Sequence, residues 1–200
     1  MHINVHIAVG VITTSLFHYF FNFTIIEFIF IVFCSFICDF DVFFSKFAKD
    51  HNHRLLITHS IIPSILMIII GYLLKWSALI FGGFAYSIHI VIDTFDWGTN
   101  FFYFDKKQVG FKLLISEEEL ENLPNYLNKY KNHASFFDEK YFTNKSCITI
   151  EIVIFIIMIV FNILFALQHI YMVLIYFLGL YFHLHRHFSL KKIEKEQQMN

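Results

Sequence analysis

The sequence predicts an all-α protein, a polytopic transmembrane helical bundle of about six helices in three hairpins, with four spans as the minimum. Three observations carry this expectation. The 200-residue chain is 57% hydrophobic, with 28 Phe and a mean hydropathy of +0.59, whereas soluble chains run about 45–50% apolar. Only 16% of its residues are charged. The apolar residues fall into long runs that come in pairs. A soluble domain of this size has too small a core to hide so much apolar surface. The same composition excludes a disordered chain, a secreted disulfide scaffold and a free nucleic-acid binder. The formal net charge of −1 gives no field to attract polyanions. Cys34, Cys38 and Cys147 form no CxxC and no paired framework. Cys34 and Cys38 read as small hydrophobes of a membrane helix.

The runs cover residues 5–21 and 23–40, then 55–74 and 76–95, then 147–167 and 170–183. A spanning helix needs roughly 20 apolar residues, so several are at the short end. No basic cluster precedes the first run and no small-residue cleavage site follows it, so it is expected to stay in the mature protein. The expected organisation is a four-helix core over residues 1–95, an interfacial loop or lid over 96–146, and two further spans with a polar tail over 147–200, all one domain. Within the lid, Ser116 and Glu119 have capping-box spacing. They predict a helix over 117–132 that Pro124 bends or splits. The aromatics at 101–104 and Phe136-Phe137, beside Lys and Asp, suit a segment lying in the membrane interface.

With three hairpins, one side holds residues 1–4, 41–54, 96–146 and 184–200. Fourteen of the fifteen Lys and Arg fall there, among them Lys46, Lys49 and Arg54, and Lys75 is the exception. Cytoplasmic loops carry excess Lys and Arg. Both termini and the lid are therefore expected on the cytoplasmic side of an inner or plasma membrane.

Ionisable groups are costly in membrane segments and tend to be functional. His6 begins the first run. Asp39 and Asp41 end the second, where a helix dipole disfavours anions and a divalent metal would favour them. His53, Arg54 and His59 crowd the start of the third. His89 and Asp93 end the fourth, four residues apart and so on one helix face. All lie at the same membrane face. Imidazoles with carboxylates suit zinc first, or manganese or iron, over the all-oxygen shells of calcium and magnesium. The remaining groups read as less central. His2 and His51 are expected in solvent, His18 toward the opposite face, and Glu27 near that face. Glu151 lies near the cytoplasmic end of the fifth run. His183, His185 and His187, with Arg186, read as a snorkelling helix end.

The ordered set His6, Asp39-x-Asp41, His53-Arg54 with Thr58-His59-Ser60, His89-x-x-x-Asp93 and Trp97-Gly98 resembles the YdjM-like family of membrane-bound metal-dependent hydrolases. The likeness covers roughly the first half of the chain. It implies a polytopic inner-membrane protein and a metal-dependent hydrolase. A more distant likeness is to the all-helical zinc-dependent phospholipase C and P1-type nuclease group. That likeness implies ligands at His6, Asp39 or Asp41, His53 or His59, His89 and Asp93. The group's later His-x-x-x-Glu pair is absent after Asp93, so one or two metals are expected rather than three.

Both lines converge on metal-assisted hydrolysis. His89 and Asp93 are expected as core ligands, joined by Asp39 and His59, with His53 and His6 completing the shell or holding a second metal. One of Asp39 and Asp41 is left to act as general base, and the fork of Arg54 matches a phosphate. The depth of the site points to a phosphoester at headgroup level, with membrane lipids as partners and no nucleic acid. The rival readings are a transporter or channel for metal ions or protons, which needs ionisable groups through the whole bilayer depth, and a structural metal with a closed shell.

Overall fold

The computed structural model describes residues 2–48, 52–103 and 108–198. Lys49, His51 and Phe104, which entered the expectations above, lie outside the described residues. The first helix, α1 (Ile3–Phe21), is followed by α2 (Ile25–Cys34) and a 3-10 stretch, Ile37–Phe47. Two single 3-10 turns, His53–Leu55 and Ile57–His59, lead into α3 (Ile61–Leu73) and α4 (Ser77–Asp96). The segment after α4 carries α5 (Glu117–Glu121), α6 (Leu123–Leu127) and α7 (His133–Thr143). Then come α8 (Lys145–Phe165), a 3-10 turn (Leu167–Met172) and α9 (Val173–Gln198).

The bundle is membrane-embedded. Among the described residues four helices are long and apolar enough to cross a bilayer: Ile3–Phe21, Ser77–Asp96, Lys145–Phe165 and Leu167–Glu196. The minimum of four spans is thus met by length. The second and third runs differ from expectation, because their helices shorten to 10 and 13 residues. At 1.5 Å per residue neither covers a hydrocarbon core of about 30 Å. The rest of each run becomes 3-10 backbone at the end that carries the ionisable residues. Non-helical backbone at membrane depth is stable only where protein or a polar cavity satisfies it, and here it does the positioning.

α1 is the central helix. It packs against α2 and α4 on one side and against α8 and α9 on the other. Ile7, Ala8 and Val11 join Phe28, Val32, Met158 and Tyr176 in the largest buried apolar cluster. α2 starts at a capping box in which Thr24 accepts from the Glu27 amide at 3.3 Å and Glu27 accepts from the Thr24 amide at 2.9 Å. This explains the lone glutamate of the second run. α3 and α4 pack tightly because Gly83 has no side chain. A Cβ there would sit 2.7 Å from Ile68 Cγ1 and 2.9 Å from the Ser64 carbonyl oxygen.

The lid helix expected over 117–132 is split, as Pro124 foretold, into α5 and α6, and its capping box forms between Ser116 and Glu119. α7 was not anticipated. The tail after His183 is also not a loose polar end, because α9 runs on to Gln198 and α7 docks on it. Glu194 accepts from the amides of Lys131 and Asn132 at 3.1 and 3.0 Å and from Ser135 Oγ at 2.7 Å. His187 pairs with Asp138 through Nδ1. His183 and His187 are therefore buried, which corrects the snorkelling reading. His2 is not free in solvent either, since its ring lies 3.4 Å from that of His183.

Gly83→Ala is expected to lower stability by about 1–3 kcal/mol, the usual range for overpacking against an unyielding neighbour. Thermal unfolding in detergent micelles reads this, and an unchanged midpoint would show that the α3–α4 contact is looser than described.

Candidate metal centre

α4 places His89 and Asp93 one turn apart, both facing inward and at most 1% exposed. α1 brings His6 against them, with the two imidazoles stacked at 3.6 Å between centroids. α2 ends just short of the site, and the chain then turns Asp39 and Asp41 inward from the 3-10 stretch. The turns before α3 supply His53, Arg54 and His59.

Among the described residues these side chains form two groups whose ligand atoms lie within 4.8 Å of one another, His6–Asp39–His89–Asp93 and Asp41–His53–His59. In the first, His6 Nε2 is 3.2 Å from Asp93 Oδ1, and His89 Nε2 is 3.4 Å from Asp93 Oδ2 and 3.6 Å from Asp39 Oδ1. In the second, His59 Nδ1 is 2.8 Å from Asp41 Oδ2, which also accepts from Thr58 Oγ at 2.7 Å. His59 Nε2 reaches Asp93 Oδ2 at 2.9 Å and so links the two groups. The grouping expected from the sequence is revised. His6, not His59, stands with His89, Asp93 and Asp39, and His59 belongs with Asp41 and His53.

The protonation of His89 tests whether these residues fit a metal. Its Nδ1 lies 2.8 Å from the carbonyl oxygen of Ser35. A carbonyl only accepts, so Nδ1 carries the proton. In the neutral ring, Nε2 then points a lone pair at the oxygens of Asp39 and Asp93. It makes no hydrogen bond, and neither does Asp39 Oδ2, Asp41 Oδ1 or either nitrogen of His6. Buried acceptors facing acceptors are costly, and a cation between them removes the cost. An imidazole fixed through its far nitrogen to a backbone carbonyl is the usual support for a metal-ligating histidine. The residues fit a metal ion. The Ser35 carbonyl is available because Ser35 caps α2, where the helical ladder leaves carbonyls unpaired.

Charge is balanced around this group by Arg54 and His59. Arg54 is buried. It donates to both oxygens of Asp96, at 2.9 and 3.3 Å, and lies 3.3 Å from Asp93 Oδ2. Further bonds run to the carbonyls of Asp93 and Gly98 at 3.3 Å. The fork expected to grip a phosphate is thus occupied, and Arg54 is a positioning residue that holds Asp93. Burial disfavours the charged form of His59. Its hydrogen bonds to Asp41 and Asp93, with the charges of both, outweigh that and raise its pKa to about 9. The pKa of His53 is pushed down to about 4, first by burial and then by the charges of His59 and Arg54. His53 is half-buried, and the Asp39 side chain is 22% exposed. The mouth of the site therefore lies between these two residues.

Several supporting residues escaped sequence reading. Asp96 stands three residues after Asp93 and is the main partner of Arg54. Thr99 Oγ donates to the His59 carbonyl at 2.7 Å, and Tyr86 donates to the Thr58 carbonyl. The Asp96 spacing was a readable signal, whereas the partners of Ser35, Tyr86 and Thr99 have none in the sequence. Glu151 does not join the site, since Asn4 and Tyr141 donate to its carboxylate. His18 lies at the other end of α1, 2.7 Å from the Gln168 amide and beside His169.

Removing one partner of a buried ion pair typically costs about 3–5 kcal/mol. Arg54→Met is expected to lose stability in that range, and adding Asp96→Asn should recover part of it. Denaturation of the purified variants measures both, and a neutral Arg54→Met would refute the clamp. The chain matches no protein-family model, no curated protein and no solved structure.

Proposed function

We propose that the protein is an integral-membrane metal-dependent hydrolase that cleaves a phosphoester of a lipid or another amphiphile at the cytoplasmic face. The observation that carries this reading is the His89 lone pair aimed at two carboxylates, with ligand atoms from His6, Asp39 and Asp93 in reach. The sequence-level resemblance to membrane-bound hydrolases points the same way. Zinc suits the mixed nitrogen and oxygen donors best, with manganese or iron next. A divalent metal bound there would supply Lewis acidity and make a water more acidic.

The chain's own residues supply the rest. His6, His89 and Asp93 would hold the metal, and Arg54 and His59 fix Asp93. Asp39 stands at the mouth, and its Oδ2 has no hydrogen-bond partner. The Asp39 carboxylate, whose side chain is 22% exposed, takes the proton from the attacking water. Asp41 is less suited to that role because its Oδ2 is engaged by Thr58 and His59. His53, half-buried at the mouth, orients the substrate. The substrate class follows from the outer face of the same 3-10 stretch. While Asp39 and Asp41 turn inward, Phe40, Phe43, Phe44 and Phe47 are 41–74% exposed. Exposed aromatics beside an active carboxylate suit a site that works against a lipid surface.

Protein purified without chelator is expected to carry a divalent metal, and His89→Ala and Asp93→Ala to lower its content by more than about tenfold. The same variants should lose hydrolysis of phosphodiester and phospholipid substrates assayed with added zinc or manganese. Full metal occupancy in both variants would reject the site, and a metal-replete but inert wild type across that panel would reject the hydrolase. The pair Phe43→Ser and Phe47→Ser is expected to slow turnover in vesicles by about tenfold or more, the worth of burying a Phe side chain. Turnover of a water-soluble phosphodiester should stay unchanged, and an equal loss on both substrates would argue against docking through these rings.

A further inference from the structure

A second site lies on the far side of α1. Asn4 and His6 are two residues apart, so they face opposite ways on the helix. His6 points to the metal group, while Asn4 points to a groove between α8 and α9, where it bonds Glu151. Ile148, Ile152 and Phe155 form one wall and Tyr176, Leu180 and Leu184 the other, around a cavity of about 220 Å³. Its rim faces the bilayer, since Ile152 is 54% and Leu184 36% exposed. Glu151 and His183 close the end nearest the lid.

His183 is the unusual group there. It is only 4% exposed, and neither ring nitrogen has a hydrogen-bond partner. The Glu151 carboxylate is taken by Asn4 and Tyr141. The His183 ring is held in place, with His2 at 3.4 Å and Phe142 at 4.9 Å between centroids. A neutral imidazole always carries one N–H, and a buried donor without an acceptor is costly. The groove therefore has an apolar slot open to lipid and, at its interfacial end, a fixed donor that lacks an oxygen. This is the chemistry of an acyl chain attached through an ester.

We propose that the groove binds a membrane phospholipid, with His183 donating to an acyl-ester carbonyl and the chain lying between Ile152 and Leu180. The site is separate from the metal group and does not depend on the hydrolase reading. Its test uses the full chain in vesicles of phosphatidylethanolamine and phosphatidylglycerol, doped with phosphatidylethanolamine that carries a photoactivatable diazirine in one acyl chain. Crosslinks are expected to concentrate around Ile152 and the half-buried Phe155 and Leu180, several-fold above Ile65 and Ile69 of α3, which are as exposed as Ile152. Ile152→Trp, which fills the slot from its rim, should remove this enrichment. His183→Phe should reduce it about three- to tenfold, the worth of one hydrogen bond. Labelling in simple proportion to exposure overturns the proposal, and so does enrichment that survives Ile152→Trp. Position 152 faces lipid, so that arm stands even if His183→Phe does not fold.

Discussion

Three buried or half-buried carboxylates, Asp39, Asp41 and Asp93, share one small volume at the end of a membrane bundle. Negative charge there has no water to rely on and must be matched within the protein. Arg54 neutralises Asp93 and Asp96 together, and His59 spans Asp41 and Asp93. One ligand atom from each of His6, Asp39, His89 and Asp93 lies within 4.8 Å of the others. Most of the local architecture follows from this balance. The fork of Arg54 ties the turns before α3 to the end of α4, and Thr99 and Tyr86 fasten the same turns by their carbonyls.

The balance also accounts for the broken second and third runs. A helix continued through Asp41 would have set Asp39 and Asp41 on opposite sides, since they are two residues apart. Ending α2 at Cys34 frees the Ser35 carbonyl for His89 and lets the chain double back. Ser35 Oγ donates to the His6 carbonyl at 2.8 Å, so one residue supports both stacked imidazoles. That contact needs Gly10, because a Cβ there would lie 2.2 Å from Ser35 Oγ. Small residues that admit close backbone approach are the common packing device within membranes.

Much of this was legible in the sequence, for identifiable reasons. His89 and Asp93 sit four apart in an apolar helix, which puts them on one face, and the six apolar runs announce a helical bundle, of which four helices among the described residues are long enough to span. Asp39 and Asp41 were recognised as anomalous because a helix end disfavours anions. What stayed hidden depends on contacts between distant segments. Apolar content cannot distinguish a helix from a 3-10 turn, so the apolar runs are longer than α2 and α3. Nothing local in His183 and His187 reveals that α7 covers them, because α7 is held by Glu194, more than fifty residues away along the chain. Arg54 was assigned to a ligand because its partner Asp96 lies in another helix, and only the fold brings the two together.

Every candidate ligand, together with the arginine that steadies Asp93 and the aspartate that steadies the arginine, precedes Trp97 in the chain. Synthesis reaches that point before α8 and α9 have been made. A nascent chain halted just beyond α4 already contains the whole ligand complement, and α8 and α9 cover α1 only afterwards. The order in which the ribosome delivers these helices thus completes the candidate ligand set before α8 and α9 cover α1.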